Sequence, residues 1–521
     1  MAMAGVVAAS LWSVAQANAQ AAAGQGSASP AVPRVIDPAS QKHYVDTFNT
    51  MEPEKVVNEI PNAQAWDWMT RNVPMFDCPD DHGGTELREI YYFRWWSFRK
   101  SIKKGQDGLL GFTEFLEFGP GGSAVGAHLL EARWIHDGHY ADQDTTAEVH
   151  GGASGIPRDR QAFSSWTIWA AYQRYLVNKD KGFITGLLDD FVKDYQAWEL
   201  KKQAPEGTYW QYEVRDAMED SINGDRKAEG RRPSISAYMY GNAMAIASIA
   251  ELAGKPELAS TYRQKAETIR KGVMETLWEP EGKFFKSRWV DGRLSDAREA
   301  IGFLPWYTEM VEKGKGYEEA WKQAIDPAGF WAPMGFTTAE MRHPDFRTHG
   351  SGHSCEWDGA IWPFTSAQML TSMANVLNDY PQSFITPAHY FEALRRYAAA
   401  QHKDGKPYIG EYQDEVDGRW LRDNLDRGYY YNHSTYDDLV ITGLVGLRPR
   451  ADDIVEVHPL VPANTWDWFC LDRVAYHGHL LTILWDRTGA RYGRGAGLTI
   501  LADGRPIAHA AELGHLTGAL P

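Results

Sequence analysis

Cysteine is scarce. Cys78, Cys355 and Cys470 are three in 521 residues, odd in number and without metal-ligand spacing, so neither a structural zinc site nor a disulfide framework is expected. One disulfide is left open for an exported protein, and buried free thiols are the preferred reading. Positive charge is also in deficit. A formal net charge of -16 argues against nucleic acid or an anionic membrane as partner, since both would be repelled. No stretch past the leader is long and apolar enough for a transmembrane segment. The run Gly119-Pro120-Gly121-Gly122 lacks both the Gly-x-Gly-x-x-Gly spacing and a following Lys-Ser/Thr, so it is no phosphate loop. No cofactor and no metal are implied.

The first nineteen residues contain no charged side chain and end in Ala17-Asn18-Ala19, a small-x-small pattern. This predicts a signal peptide over 1–19 and a flexible leader over 20–30, hence a periplasmic or secreted protein.

What the chain has in excess is aromatic rings, with 21 Trp and 25 Tyr, more than a core alone requires. Trp95, Trp96, Trp166 and Trp169 are read as core. Between Tyr408 and Asp438, by contrast, eight carboxylates share one stretch with eight aromatic or imidazole rings. A carbohydrate site needs that mixture: rings to stack on sugar faces, carboxylates to orient hydroxyls, and one carboxylate to act as a base.

The organisation falls into three parts. Residues 31–124 are mixed, with an aromatic helix expected over Leu87–Ile102. From about 125 to 447 the texture is helical, with three- and four-residue periodicity over Gln161–Val177, Phe183–Leu200, Ile235–Ala253 and Leu258–Leu277. Further helices fit Ala297–Met310, Glu318–Ile325, Thr365–Asn378, Pro387–Gln401 and Tyr436–Leu444. Long loops carrying His, Trp and Asp lie between them, and such loops in a compact domain mark function. Past Arg448, alternation at Ile454–Leu460, Leu480–Leu484 and Leu498–Asp503 predicts a small antiparallel β domain over 448–521. The class is mainly α: a toroid of helical hairpins with that β unit at its end.

Several stretches together resemble the six-hairpin (α/α)6 glycosidases, related to trehalases, processing α-glucosidases and mannosylglycerate hydrolases. Cys355-Glu356-Trp357-Asp358-Gly359-Ala360-Ile361-Trp362-Pro363 resembles their Trp-Arg-Gly-Pro-x-Trp-Pro signature, with Asp358 in place of Arg and Ala360 in place of Pro. Gly410-Glu411-Tyr412 with Asp417-Gly418 resembles the segment of their catalytic base. Asn432-His433-Ser434-Thr435-Tyr436 through Leu447 resembles the last hairpin. The resemblance implies an inverting glycoside hydrolase acting on an oligosaccharide or glycan terminus, with Glu411 as general base flanked by Tyr408, Tyr412 and Trp420. It also implies substrate contacts at Trp134 and Asp137, and at Glu356, Trp357 and Asp358 with Trp362 behind them. His353, Asn432 and His433 are candidate donors to hydroxyls.

The acid must come from the cluster Glu213, Asp216, Glu219 and Asp220, where crowding keeps the least exposed carboxyl protonated. Asp220 matches the family's acid segment by position. Asp216 follows Trp210 and Arg215, and a helical 216–220 would put Asp216 and Asp220 on one face with Glu219 beside them. All three stay candidates. Rival readings are a phosphorylase, for which Arg231-Arg232 would supply the cations, a lyase, and a non-catalytic glycan-binding protein on the same fold.

Overall fold

The computed structural model describes residues 32–521 except 52, 53, 55–58, 117, 151–158, 353, 354 and 423–429. The expected signal peptide and leader lie outside the described residues, as does His353. Residues Arg34–Pro521 form one compact unit.

The Pro233–Leu252 and Pro256–Thr276 helices show how the sequence specifies a hairpin. The first, rich in Ala, Ser, Met and Ile, buries sixteen of its 20 residues, whereas the second buries seven of 21. One is therefore an inner wall and the other an outer cover. Gly254 between them has a φ of +71°, a left-handed turn that a Cβ would strain. Each helix opens on proline, whose fixed φ suits the first turn and whose missing N–H has no partner there to lose. The Pro363–Asp379 and Pro387–Ala400 helices repeat this scheme.

The inner helices meet through aromatic side chains. Trp166, at the N-terminus of the Thr167–Asn178 helix, stacks on Tyr238 with ring centroids 4.6 Å apart, and lies 5.8 Å from Phe364. Gln368 donates its amide N–H to the Tyr238 hydroxyl at 2.6 Å. Trp95 and Trp96, on the Gly84–Lys100 helix, are fully buried. The result is the helical toroid expected, with the N-termini of the inner helices Thr167–Asn178, Pro233–Leu252 and Pro363–Asp379 turned toward the loops that carry the site.

Several helical expectations change in detail, and Glu318–Ile325 is a 3-10 turn, Tyr317–Ala320, running into one helical turn, Trp321–Ala324. Ala297–Met310 becomes a 3-10 segment over Ala300–Trp306: Pro305 supplies no N–H, and a Cβ on Gly302 would come within 2.2 Å of the Phe284 ring. Phe183–Leu200 is two helices, Lys181–Gly186 and Leu188–Lys202. The last hairpin widens into a π-helix over Val440–Leu444.

The C-terminal β unit has one five-stranded antiparallel sheet. Trp468–Tyr476, His479–Asp486, Gly497–Ala502 and Arg505–Ala510 run in sequence, and Met75–Asp77 from the N-terminal segment covers the outer edge through Phe76 opposite Leu471. The sheet thus ends on this side in a three-residue edge strand, which offers only a short ladder to another chain. A second sheet joins Leu447–Arg448, Ile454–Val457 and Leu516–Ala519. All three cysteines are buried and free, and burial pushes the Cys78 and Cys470 thiols up. Among the described residues no helix is long and apolar enough to cross a membrane.

Candidate active site

Three loops are stitched together at one end of the toroid. The first, 212–229, is closed at its base by a ribbon in which Trp210–Gln211 pairs with Gly230–Arg231. The second, 347–362, is tied to the first by the Trp357 N–H, which donates to the Glu219 carbonyl at 3.1 Å. The third, 408–420, joins the second through reciprocal bonds between Ile361 and Gln413, both 2.9 Å. Backbone hydrogen bonds thus bring the expected base segment, acid segment and tryptophan signature to one place.

Residues 216–220 are not helical. After a 3-10 turn at Glu213–Arg215, Ala217 and Asp220 adopt left-handed φ angles of +58° and +60°, so the three acid candidates do not share a face. Asp216 turns inward. It accepts from Arg232 Nε at 2.7 Å, from Ser164 Oγ at 2.5 Å and from Ser234 Oγ, and is buried. Arg232 also acts on Glu213 and Glu299, whose carboxyls burial pushes up. Arg232 is therefore a structural counter-ion, and Arg231 pairs with Glu206 at 2.6 Å, so both arginines of the rival phosphorylase reading are engaged by carboxylates. Asp220 is partly exposed and 3.3 Å from Arg226. Glu219 stays half-buried beside the second loop.

The second loop carries the floor of the site. Trp357 stacks on Trp362 (4.8 Å), and Trp362 stacks on Tyr412 (4.8 Å, 14° between planes). Trp357 also meets Phe364 edge-on at 5.8 Å, which continues the floor to Trp166 and Tyr238. The Trp362 indole donates to the Glu356 carbonyl at 2.7 Å. Glu356 is fully buried and accepts the Ser351 N–H at 3.0 and 2.9 Å. Asp358 is gripped by Arg347 through Nε and Nη2, both 2.8 Å, and burial still pushes its carboxyl up.

Glu411 is buried in the third loop. The Cys355 thiol donates to its Oε1 at 3.7 Å, and Arg422 Nε stands 3.6 Å from its Oε2. Gly410 is required before it: a Cβ there would lie 2.7 Å from the Trp420 ring. Trp420 is locked by its indole N–H on the His402 carbonyl at 2.9 Å and packs edge-on against Tyr408.

Tyr431 joins the acid and base segments. Its phenol is buried and pushed well up, first by burial and then by the charges of Glu114, Glu411, Cys355 and Glu219. His433 Nδ1 is 2.5 Å from the Tyr431 hydroxyl, and its Nε2 is 3.3 Å from Glu114 Oε1.

Other expected contacts are placed elsewhere. Trp134 and Asp137 follow the C-terminal end of the Val125–Ala132 helix, away from the loops. Trp134 is fully buried with its indole on Asp438 at 2.6 Å, and Asp137 is a surface partner of His139. Neighbouring His136 bonds the Arg473 carbonyl of the C-terminal sheet at 2.7 Å. Asn432 is committed to Ser101 and Thr113 at 3.1 and 3.2 Å. His349, Asp414 and Glu415 place ligand atoms within 4.8 Å of one another. Protein donors already occupy the carboxylates: Arg419 and the Val416 and Asp417 N–H groups serve Asp414, and the His349 N–H serves Glu415. Glu114, Arg422 and Tyr431 are the functional candidates that sequence reasoning did not single out. Glu114 and Arg422 stand in short irregular segments with no periodicity, and Tyr431 is one of three adjacent tyrosines.

Comparison with known proteins agrees with this architecture. Residues 122–434, more than half of the chain, match the mannosylglycerate hydrolase MGH1-like glycoside hydrolase domain, and residues 447–509 match the glycosyl hydrolase family 65 C-terminal domain. A solved protein named as a sialidase is 46% identical over 93% of this chain, with a TM-score of 0.89; the chain spans 45% of that protein's length. The GH63 mannosylglycerate hydrolase from Thermus thermophilus in complex with glucose is similar in fold (TM-score 0.53, 13% identity, 68% of this chain and 99% of that one). So is the GH78 family rhamnosidase of a Bacillus species (TM-score 0.57, 13% identity, 79% of this chain and 40% of that one). The chain belongs to the MGH1-like glycoside hydrolase family, on a six-hairpin toroid followed by a family 65-type β domain.

Proposed function

We propose that the protein hydrolyses a glycosidic bond at an oligosaccharide or glycan terminus by inversion, with Glu411 as general base and Glu219 as general acid. The observation that carries this reading is that backbone hydrogen bonds tie the Glu219 carbonyl to Trp357, and Ile361 of the same loop to Gln413, two residues past Glu411. Inversion needs two carboxyl groups roughly 6.5–9.5 Å apart, leaving room for a water on one side of the sugar and a leaving oxygen on the other. Asp216 is set aside because its buried carboxylate is already engaged by Arg232 and two serines. Asp220 stands at the rim with Arg226. Glu411 takes a proton from water, the oxygen bonds to the anomeric carbon, and Glu219 gives its proton to the departing oxygen.

The buried Tyr412, Trp362 and Trp357 stack would be the base beneath the sugar's platform, with Glu356 and Asp358 beside it and Tyr408 and Trp420 behind the general base. The catalytic unit would span 125–447, and the leader would direct the protein to the periplasm or outside the cell. The test is hydrolysis of a panel of plant and bacterial oligosaccharides, with NMR of the first-formed anomer. A retained anomer overturns inversion. Undiminished turnover in Glu411→Gln overturns the assignment of the base.

A further inference from the structure

We propose that the toroid carries a second, non-catalytic site, away from the catalytic loops, for a neutral polyol the size of one monosaccharide. It is independent of the roles given to Glu219 and Glu411.

The site is a recess of about 130 Å³. A space of that size takes on the order of ten water positions, and so one small sugar. Its walls come from parts of the inner helices far from their site-facing ends. Gln173 and Leu176 lie in the second half of Thr167–Asn178, Asn375 toward the end of Pro363–Asp379, and Arg448 past the last hairpin. A series of ring contacts lies between the recess and the catalytic loops. It runs from Trp169 to Tyr307 (5.1 Å), to Tyr238 (6.5 Å), to Trp166 (4.6 Å) and to Phe364 (5.8 Å), which meets Trp357 edge-on.

Most of the charge on the walls is already paired. Arg133 holds Asp438 Oδ1 through Nε at 2.9 Å and Nη2 at 2.7 Å. Arg448 Nη2 donates to Asn375 Oδ1 at 2.9 Å and to Asp379 Oδ2 at 3.1 Å. Two arginines and two carboxylates, Asp438 and Glu309, line the space, so it offers no net charge to an ion.

Three polar groups on the walls remain uncommitted among the described residues: the Glu309 carboxylate, the Gln173 amide N–H group and the Thr371 hydroxyl. Glu309 is exposed to water, yet the protein around it desolvates its carboxyl and pushes it up, as expected inside a recess. Its backbone stands at a left-handed φ of +56°, which a residue other than glycine rarely takes. Trp169, read from the sequence as core, is only half-buried and lines the same space. It packs on Gly241, where a Cβ would come within 3.1 Å of its ring. An acceptor with two oxygens, an amide donor, a hydroxyl and an indole together suit a ring of hydroxyls with an apolar face.

The test is fluorine-19 NMR of the full chain labelled with 5-fluorotryptophan, with the Trp169 signal identified by its loss in Trp169→Phe. That signal should move saturably with D-glucose, D-mannose or L-rhamnose in the millimolar range. Glu309→Ala should weaken the binding about tenfold or more, and Thr371→Val about threefold. Glu411→Gln should leave it unchanged. A Trp169 signal that stays fixed up to about 100 mM of each sugar overturns the site, and so does a shift that is equal in wild type, Glu309→Ala and Thr371→Val. Either result leaves a hydrated recess only. Loss of the shift in Glu411→Gln places the sugar at the catalytic loops and overturns the second site. Tighter binding of putrescine than of the sugars makes the ligand a cation and overturns the assigned class.

Discussion

Trp357 donates its backbone N–H to the Glu219 carbonyl at 3.1 Å, so the loop of the acid candidate and the loop of the aromatic floor move as one piece. Asp216, three residues earlier, is held by Arg232 on the opposite side of the loop. A carboxamide scan should therefore separate residues that sequence alone leaves equivalent. Glu219→Gln and Glu411→Gln are expected to lower kcat by about 100-fold or more on substrates with poor leaving groups, and Asp220→Asn by less than about tenfold. Equal losses at 219 and 220 in steady-state assays would remove the case for Glu219.

Arg232 is 1% exposed and balances the Asp216 carboxylate within a loop that also buries Glu213 and Glu299. Removing one partner of a buried pair strands the other, at a cost of about 3–5 kcal/mol. Arg232→Met should therefore destabilise the protein by that order in urea unfolding, far more than Arg231→Met at the partly exposed pair with Glu206. Similar midpoints for the two variants would contradict the counter-ion role.

Deeper in the toroid, Glu131 accepts the N–H groups of Asp437 and Asp438, both at 3.1 Å, and burial pushes its carboxyl up to about 7 from 4.5. Asp437 beside it is pushed up as well, by burial and by Glu131. Between those two values the folded chain binds more protons than the unfolded one, so the Glu131 contribution is full below about pH 4.5 and is lost as pH rises through about 7. The expected measurement is a urea series from pH 4 to 8. Wild-type stability should fall across that window relative to Glu131→Gln by on the order of 1–3 kcal/mol, and parallel curves would exclude the linkage.

Much of this was legible in the chain because it rests on periodicity and on residues with few alternatives. Pro233, Pro256, Pro363 and Pro387 mark helix starts within two residues of the expected ones, and the alternating runs after Arg448 became strands. The separation of Asp216 from Glu219 was not legible. It depends on left-handed turns at Ala217 and Asp220, neither a glycine, and on Arg232 and Ser164 reaching the loop from outside it. Trp134 misled for the reverse reason. The resemblance implied a sugar contact there, yet its indole serves a buried carboxylate of the last hairpin. Glu114 belongs to no motif and no period, and only the fold brings its carbonyl to the Asn432 N–H.

Gly410 offers a test of the base that leaves its carboxylate intact. An added Cβ would press the Trp420 ring from 2.7 Å, and that ring is fixed by the His402 carbonyl and by Tyr408. The strain must therefore pass into the hairpin that carries Glu411. Gly410→Ala should lower kcat by about tenfold or more while costing about 1–3 kcal/mol of stability. Unchanged kcat would mean that the ring yields and the base is not held through it.

The charge of the site bears on the sugar. Glu114, Glu356 and Glu411 lie near the Tyr412 and Tyr431 rings, while the arginines described nearby are engaged: Arg347 on Asp358, and Arg422 beside Glu411 and Cys355. A carboxylated sugar on the platform would bring a further negative charge into a partly buried, negatively charged space, where like charges a few ångströms apart repel by several kcal/mol at an effective dielectric near about 20. Neutral hexosides and deoxyhexosides should therefore be cleaved in preference to sialyl or uronyl glycosides by about 100-fold or more in kcat/KM. Paired aryl glycosides that differ only in the carboxylate make the measurement direct. Equal rates on the sialyl member would show that a cation outside these side chains meets the acid group.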